Sequence, residues 1–131
     1  IDGIGFQMHV SLVWPDIAQV RTAFERAAAT GLKIKITELD VTVNTDGSGN
    51  SLGATELTDA LAQQQEDRVR EIVAAYLQAV PAVQRGGITV WGIADVDSWR
   101  RSQNEHEWPL LFDENFDAKP ALQGFADGLS N

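Results

Sequence analysis

The chain contains no cysteine, which excludes disulfide bridges and thiolate metal sites. It leaves the compartment open, because larger secreted domains with good cores do without bridges. Basic residues are scarce: 10 lysines and arginines face 19 aspartates and glutamates, for a net charge of −9 and an isoelectric point near 4.5. That balance argues against nucleic acid and an anionic membrane surface, both of which demand a basic footprint, and favours a neutral or cationic ligand. No apolar run approaches the roughly 18 residues that a membrane span needs. Ile1-Asp2-Gly3-Ile4 has neither the basic start nor the apolar core of a signal peptide. What is present is 44% apolar content over 131 residues, enough for one ordinary domain with its own core.

The apolar residues are organised in alternating patterns. Ile1 to Val10 reads as a buried strand, with Gly3 and Gly5 allowing close approach of backbone or ligand. Because the chain opens directly on this strand, the N-terminal part of a longer protein is expected to lie outside it. Trp14-Pro15-Asp16 opens a helix with proline near its first turn, and Ile17, Val20, Phe24 and Ala27 or Ala28 recur at helical spacing up to Gly31, a left-handed C-cap. A second strand is predicted over 32–43, followed by a loop over 44–54 too polar to pack and easily mobile. Leu61, Val69, Ile72, Val73, Tyr76, Leu77 and Val80 form one face of a helix over 58–80, with Glu66, Asp67, Arg68, Arg70 and Glu71 as its solvated face. Ile88 to Ile93 is the third strand, and 115–129 a closing helix with Pro120 in its first turn. This alternation specifies an α/β fold of parallel β-α-β units, either a small open sheet or part of a (β/α)₈ barrel.

Chemistry-bearing residues gather at the carboxyl ends of the strands, where ligands bind in such folds. Gln7 and His9 end the first strand, Glu38 and Asp40 the second, and Trp91, Asp95, Asp97 and Trp99 follow the third. Strict alternation places Ile34, Ile36, Glu38 and Asp40 on one strand face. A carboxylate, an imidazole and indoles on one rim describe a sugar site: indoles stack on pyranose C–H faces and a buried carboxylate can attack an anomeric carbon. Each residue also has a plainer reading. Glu38 and Asp40 alone are solvated strand-end acids, and His9 alone is a satisfied core histidine. One imidazole without a His-x-His or His-Glu-x-x-His companion speaks against a metal site. Trp14 and Trp108 either extend a sugar platform or cap the core; His106 is a solvated loop residue. Arg100 and Arg101 are close enough to Trp99 to reach a substrate hydroxyl, though a surface ion pair is their plainer use.

Taken together, Gly5-Phe6-Gln7-x-His9, Ile36-Thr37-Glu38-Leu39-Asp40, Thr89-Val90-Trp91-Gly92-x-x-Asp95 with Ser98-Trp99, and the late Pro109-Leu110-Leu111-Phe112-Asp113 and Lys119-Pro120-Ala121 resemble the C-terminal portion of a glycoside hydrolase family 10 xylanase. The resemblance covers nearly all of residues 1–131, in order and with similar spacing. It implies that the chain is the C-terminal part, about strands six to eight with their helices, of a TIM (β/α)₈ barrel that cleaves β-1,4-xylan with retention. Position by position, Glu38 resembles the nucleophile, and His9 and Asp40 the partners that hydrogen-bond it and hold it ionised. Gln7 resembles a substrate-contacting amide, and Trp91 and Trp99 the indoles walling the sugar site. No cofactor and no metal are implied.

The family's acid/base carboxyl lies in a Trp-Asp-x-x-Asn-Glu type motif after strand four, and nothing in this chain matches it. Retaining hydrolysis needs that second group about 5 to 5.5 Å from the nucleophile. The expected partners are therefore xylan or xylo-oligosaccharide and an N-terminal barrel fragment, joined covalently or not, without which the chain is inactive. Unpaired strand edges and an uncovered apolar barrel-facing side point to the same companion. An extracellular or periplasmic location follows from the resemblance, since polymeric xylan does not enter cells. The competing class is a non-catalytic carbohydrate-binding or assembly half-barrel using Trp91 and Trp99 as platforms. A phosphate or nucleotide binder lacks its Gly-rich strand-to-helix turn.

Overall fold

A computed structural model describes residues 1–130. Its strands are β1 (Gly3–Phe6), β2 (His9–Ser11), β3 (Lys33–Thr42) and β4 (Arg85–Val90), and its helices α1 (Ile17–Ala28), α2 (Asp59–Ala79) and α3 (Pro120–Leu129), with short 3₁₀ turns between. All strand pairings are parallel and all involve β3, which has β1 and β2 along one side and β4 along the other. The predicted α/β alternation is present. β1, β2 and β4 each keep one unpaired edge among the described residues.

The helices lie on one face of the sheet. Val20 and Phe24 of α1 and Val69, Ile72, Val73 and Tyr76 of α2 enclose Ile34, Ile36, Leu39 and Val41 of β3. Each such side chain contributes about 1.5 to 3 kcal/mol on burial. The Tyr76 hydroxyl donates to the Ile34 carbonyl at 2.7 Å and accepts from the Gly87 amide at 3.1 Å. One buried phenol thereby ties β3 to β4. Asp16 caps α1 through a reciprocal box with Gln19, and Thr58 caps α2 by accepting from the Leu61 amide. Among the described residues no helix is long and apolar enough to cross a membrane.

Several local expectations are corrected. The single strand over 1–10 is broken into β1 and β2, because Met8 takes a left-handed φ of 66° between them. Pro15 precedes the Asp16 cap rather than entering the first turn, and α1 ends at Ala28, with Gly31 left-handed at φ 77° beyond the Ala29 C-cap. The closing helix starts at Pro120 rather than at 115: Asp113 Oδ1 accepts from the amides of Asn115 and Asp117, and Phe116 has a positive φ of 65° that a helix excludes. Arg68 is not on a solvated face. It is buried, and its guanidinium donates to the carbonyls of Ser11 and Pro15, joining α2 to the start of α1.

The uncovered face of the sheet is also less apolar than expected. Lys33 and Lys35 alternate with the buried Ile34 and Ile36 and are exposed. A Cβ added to Gly3 or Gly86 on that face would press on their side chains, at 3.3 and 3.1 Å from the Cβ atoms of Lys33 and Lys35. Of the exposed large apolar residues, Trp91, Ile93, Val96, Trp99 and Phe116 lie in the segment between β4 and α3, and the others are scattered over the rest of the chain.

The closest helix contact joins α2 and α3 through small residues. A methyl group on Gly124 would collide with the Glu66 carbonyl, and one on Gly128 would stand 2.7 Å from Val73 Cβ. The Gly124→Ala variant is therefore expected to lose stability by about 1 to 3 kcal/mol, although alanine is the better helix former. Denaturant unfolding reads this; a stabilised variant would show that the helices can separate without loss.

Candidate active site

The site begins with an irregularity in β3. Between the pairs Phe6–Ile36 and His9–Asp40, β3 advances four residues while its neighbour advances three. Between Ile36–Ile88 and Leu39–Val90 it advances three while β4 advances two. One extra residue in the Thr37–Glu38 region thus bulges β3 relative to both neighbours, and a bulge exchanges the two faces of a strand. Ile34 and Ile36 face the helices before it; Leu39 and Val41 face them after it. This corrects the strict alternation expected from the sequence. Without the bulge, Glu38 and Asp40 would share the helix-facing side with Ile34 and Ile36.

The broken strand opposite is fitted to this irregularity. The carbonyl of Gln7 accepts from the Glu38 amide at 3.0 Å, and that of Met8 from the Asp40 amide at 3.3 Å. The left-handed Met8 then delivers His9 between the two carboxylates. His9 Nε2 lies 3.0 Å from Glu38 Oε2, and Nδ1 lies 2.8 Å from Asp40 Oδ2. An imidazole with a carboxylate oxygen on each nitrogen makes both bonds only when one proton occupies each contact.

Asp40 is the hub. Its side chain is fully buried, and Oδ2 accepts from Trp99 Nε1 at 2.9 Å as well as from His9. Oδ1 accepts from Arg100 Nε and Nη2, both at 3.2 Å. The guanidinium lies 4.6 Å from the Trp99 ring centroid, and that ring meets His9 edge-on at 5.1 Å. Arg100 was expected at the surface; the structure pairs it with a buried carboxylate. The sequence clue was its position directly after Trp99.

Glu38 differs from Asp40. Its side chain is 23% exposed, and Oε1 accepts no hydrogen bond among the described residues. Gln7 is exposed beside it with its amide unbonded among the described residues. Trp91 is reached one residue after β4, its amide donating to the Leu39 carbonyl at 2.9 Å. Trp91 is 45% exposed as a residue, and its ring makes no ring contact with the cluster. Gly92 beside it has φ 128°, and a Cβ there would stand 2.8 Å from Leu110 Cδ1. The structure thus brings His9, Glu38, Asp40 and Trp99 into contact, and leaves Gln7 and Trp91 free on the same rim.

Next to His9 a cleft of about 210 Å³ is bordered by Trp14, Asp46, Gly47 and Arg100. Trp14 is exposed, so it does not cap the core. The 44–54 loop is pinned rather than loose. Asn44 is buried and bonds Ala54 in both directions, and Asp46 accepts from the amides of Ser48 and Asn50. The bonds from Asn50, backbone first, hold the Asp46 carboxyl below its usual value.

Two buried polar side chains, Glu107 and Gln65, lie behind the rim. Glu107 accepts from the amides of Val43, Asn44 and Trp108 and from the Thr45 hydroxyl. Gln65 donates to the carbonyls of Val41 and Trp108. Gln65 was legible in principle, since it falls four residues after Leu61 and four before Val69 on the apolar stripe of α2. No local pattern marks Glu107. His106 is exposed, and its ring lies 6.4 Å from that of Trp108.

Comparison with known proteins gives a consistent picture. The family model described as Glycosyl hydrolase family 10 matches residues 1–128. Endo-1,4-beta-xylanase A of Cellvibrio japonicus is 50% identical over 139 residues, covering 99% of this chain and 23% of that protein. An endo-1,4-beta-xylanase of Geobacillus stearothermophilus is 37% identical, covering 93% of this chain and 37% of that protein. A xylanase10C variant of Cellvibrio japonicus, solved in complex with xylopentaose, superposes with a TM-score of 0.92 at 46% identity, covering 98% of this chain and 27% of that one. The chain therefore spans well under half the length of these relatives.

Proposed function

The chain belongs to glycosyl hydrolase family 10, and from that premise we propose that it is the nucleophile-bearing part, about strands six to eight, of the barrel of a retaining endo-1,4-β-xylanase. The observation that carries the reading is Glu38: one carboxylate oxygen is fixed by His9 and the other is unbonded among the described residues, on a rim with two indoles. A nucleophile needs that combination of a locked rotamer and a free oxygen.

In this reading Glu38 attacks the anomeric carbon of a bound xylosyl unit, and the leaving oxygen takes a proton from a carboxylic acid elsewhere in the barrel. Water then attacks the glycosyl–Glu38 ester, giving its proton back to that second group, so configuration is retained. His9 and Asp40 hold Glu38, Trp91 and Trp99 stack on sugar faces, and the Gln7 amide binds a hydroxyl. Asp40 cannot be the acid, because both its oxygens are committed to His9, Trp99 and Arg100. The acid therefore belongs to an N-terminal part of the barrel, whose strands also cover the open edges of β1 and β4. A polymeric substrate places the completed enzyme outside the cell or in the periplasm.

The test is complementation. The chain alone is expected to release no reducing ends from xylan, and mixing or fusing it with a fragment carrying the N-terminal part to restore hydrolysis. Xylo-oligosaccharide binding without hydrolysis in the mixture would favour the non-catalytic half-barrel instead.

A further inference from the structure

We propose that Arg100 is a positioning residue for Glu38, acting through the buried Asp40 and the imidazole of His9. The inference rests on the reading of Glu38 as nucleophile and adds a residue outside that residue set. Arg100 is not a rim ion pair. Its side chain is largely buried, it places two donors on one oxygen of a fully buried carboxylate, and it lies against the ring of Trp99.

Four charged or titratable groups meet there: Glu38 and Asp40 from β3, His9 from β2, and Arg100 from the turn Trp99–Ser102. Asp46, from the 44–54 loop, borders the adjoining cleft. With the imidazole carrying both ring protons, two carboxylates face two cations and the contact cluster is neutral. Arg100 supplies the one permanent positive charge in it. Its removal leaves Asp40 held through Oδ2 alone, by His9 and Trp99, with Oδ1 a buried carboxylate oxygen without a donor among the described residues. It also leaves the cluster one charge more negative, which favours retention of the proton shared between His9 Nε2 and Glu38. A nucleophile that keeps its proton is inactive, so the guanidinium both orients Glu38 and frees it for attack.

The experiment measures kcat, KM and the pH profile of kcat/KM on 4-nitrophenyl β-xylobioside, in the domain completed by its N-terminal part, for wild type, Arg100→Met, Arg100→Lys and Glu38→Ala. For Arg100→Met, kcat is expected to fall about tenfold to 100-fold, with KM little changed. The acidic limb of its profile should move to higher pH, since the lost cation no longer favours the carboxylate. Arg100→Lys keeps the charge but not the fork, so its limb should stay in place while kcat recovers only in part. If Arg100→Met does not fold, Arg100→Lys decides alone: lowered kcat with an unmoved limb supports the proposal, and wild-type kcat overturns it. An Arg100→Met enzyme that only melts earlier, with rate and pH profile unaltered, overturns it as well. A Glu38→Ala enzyme with wild-type activity would instead remove the nucleophile reading, and this proposal with it.

Discussion

Replacement of Glu38 by alanine is expected to abolish xylan hydrolysis in the completed domain, lowering kcat by at least about 10⁴-fold, or roughly 5.5 kcal/mol of barrier. The size follows from the proposed role: a nucleophile takes part in both displacements, whereas a single sugar contact supplies only part of the binding energy that stabilises the transition state. Loss of rate alone does not separate a nucleophile from a group that merely holds the fold. Azide does. In Glu38→Ala the truncated side chain leaves room on the face from which the carboxylate attacked. A small anion entering there displaces an activated leaving group and yields the α-xylosyl azide, with one inversion instead of two. Product configuration is read by NMR. Formation of the β-azide would mean that Glu38 stands on the leaving-group side and acts as the acid; full activity of the variant would remove Glu38 from the chemistry.

The second large effect is on stability. Lys119 is almost completely buried, donates to the carbonyls of Trp108 and Leu110, both at 2.7 Å, and meets Asp95 Oδ2 at 2.9 Å as an ion pair. Asp95 Oδ1 accepts from the Leu110 amide at 2.8 Å. The pair thus knits the segment after β4, which carries Trp99, to the entry of α3. Lys119→Met should cost about 3 to 5 kcal/mol, because it leaves a buried carboxylate without its cation and two buried carbonyls without a donor.

The pH dependence of that loss has a definite sign. Burial raises the Asp95 carboxyl above its usual value even beside Lys119, and burial lowers the Lys119 ammonium. Without the lysine, Asp95 rises further. A carboxyl raised in the folded state adds stability below its unfolded value and loses it as pH climbs through the folded value. The deficit of Lys119→Met against wild type should therefore be smaller near pH 4 than at pH 7. Denaturant unfolding at the two pH values measures it. A deficit independent of pH would assign the loss to packing and the carbonyls rather than to the stranded charge.

Legibility in the sequence depended on how local each feature is. The stripe through Val69, Ile72, Val73 and Tyr76 specified α2 to within a residue or two, because helical burial repeats every three to four positions whatever the rest of the chain does. The run from Leu32 to Val43 announced β3 because an apolar, β-branched stretch bounded by turn residues is also a local signal. The closing helix starts five residues later than the sequence predicts, because apolar content near Asn115 and Phe116 carries no sign of a positive φ or of an Asp113 turn. The sequence predicts Arg68 and Arg100 at the surface because a long cationic side chain ordinarily goes there. Each has its acceptors in a distant segment, Ser11 lying 57 residues from Arg68 and Asp40 lying 60 from Arg100. No window along the chain contains both ends of such a bond.

That the chain is a parallel α/β fold was readable from the sequence by itself, since burial periodicity and strand polarity are properties of short segments. The placing of its chemistry-bearing residues at strand ends was not, because His9 opens β2, Glu38 and Asp40 lie within β3, and Trp99 follows β4 by nine residues. Only the tertiary structure decided that β3 bulges between Ile36 and Leu39, turning Glu38 and Asp40 away from the helices and onto His9. It alone made Asp40 the shared acceptor of His9, Trp99 and Arg100. The physical reason is that a strand's register and a buried charge's partners are chosen by neighbours that pair across the sheet, not by those adjacent along the backbone.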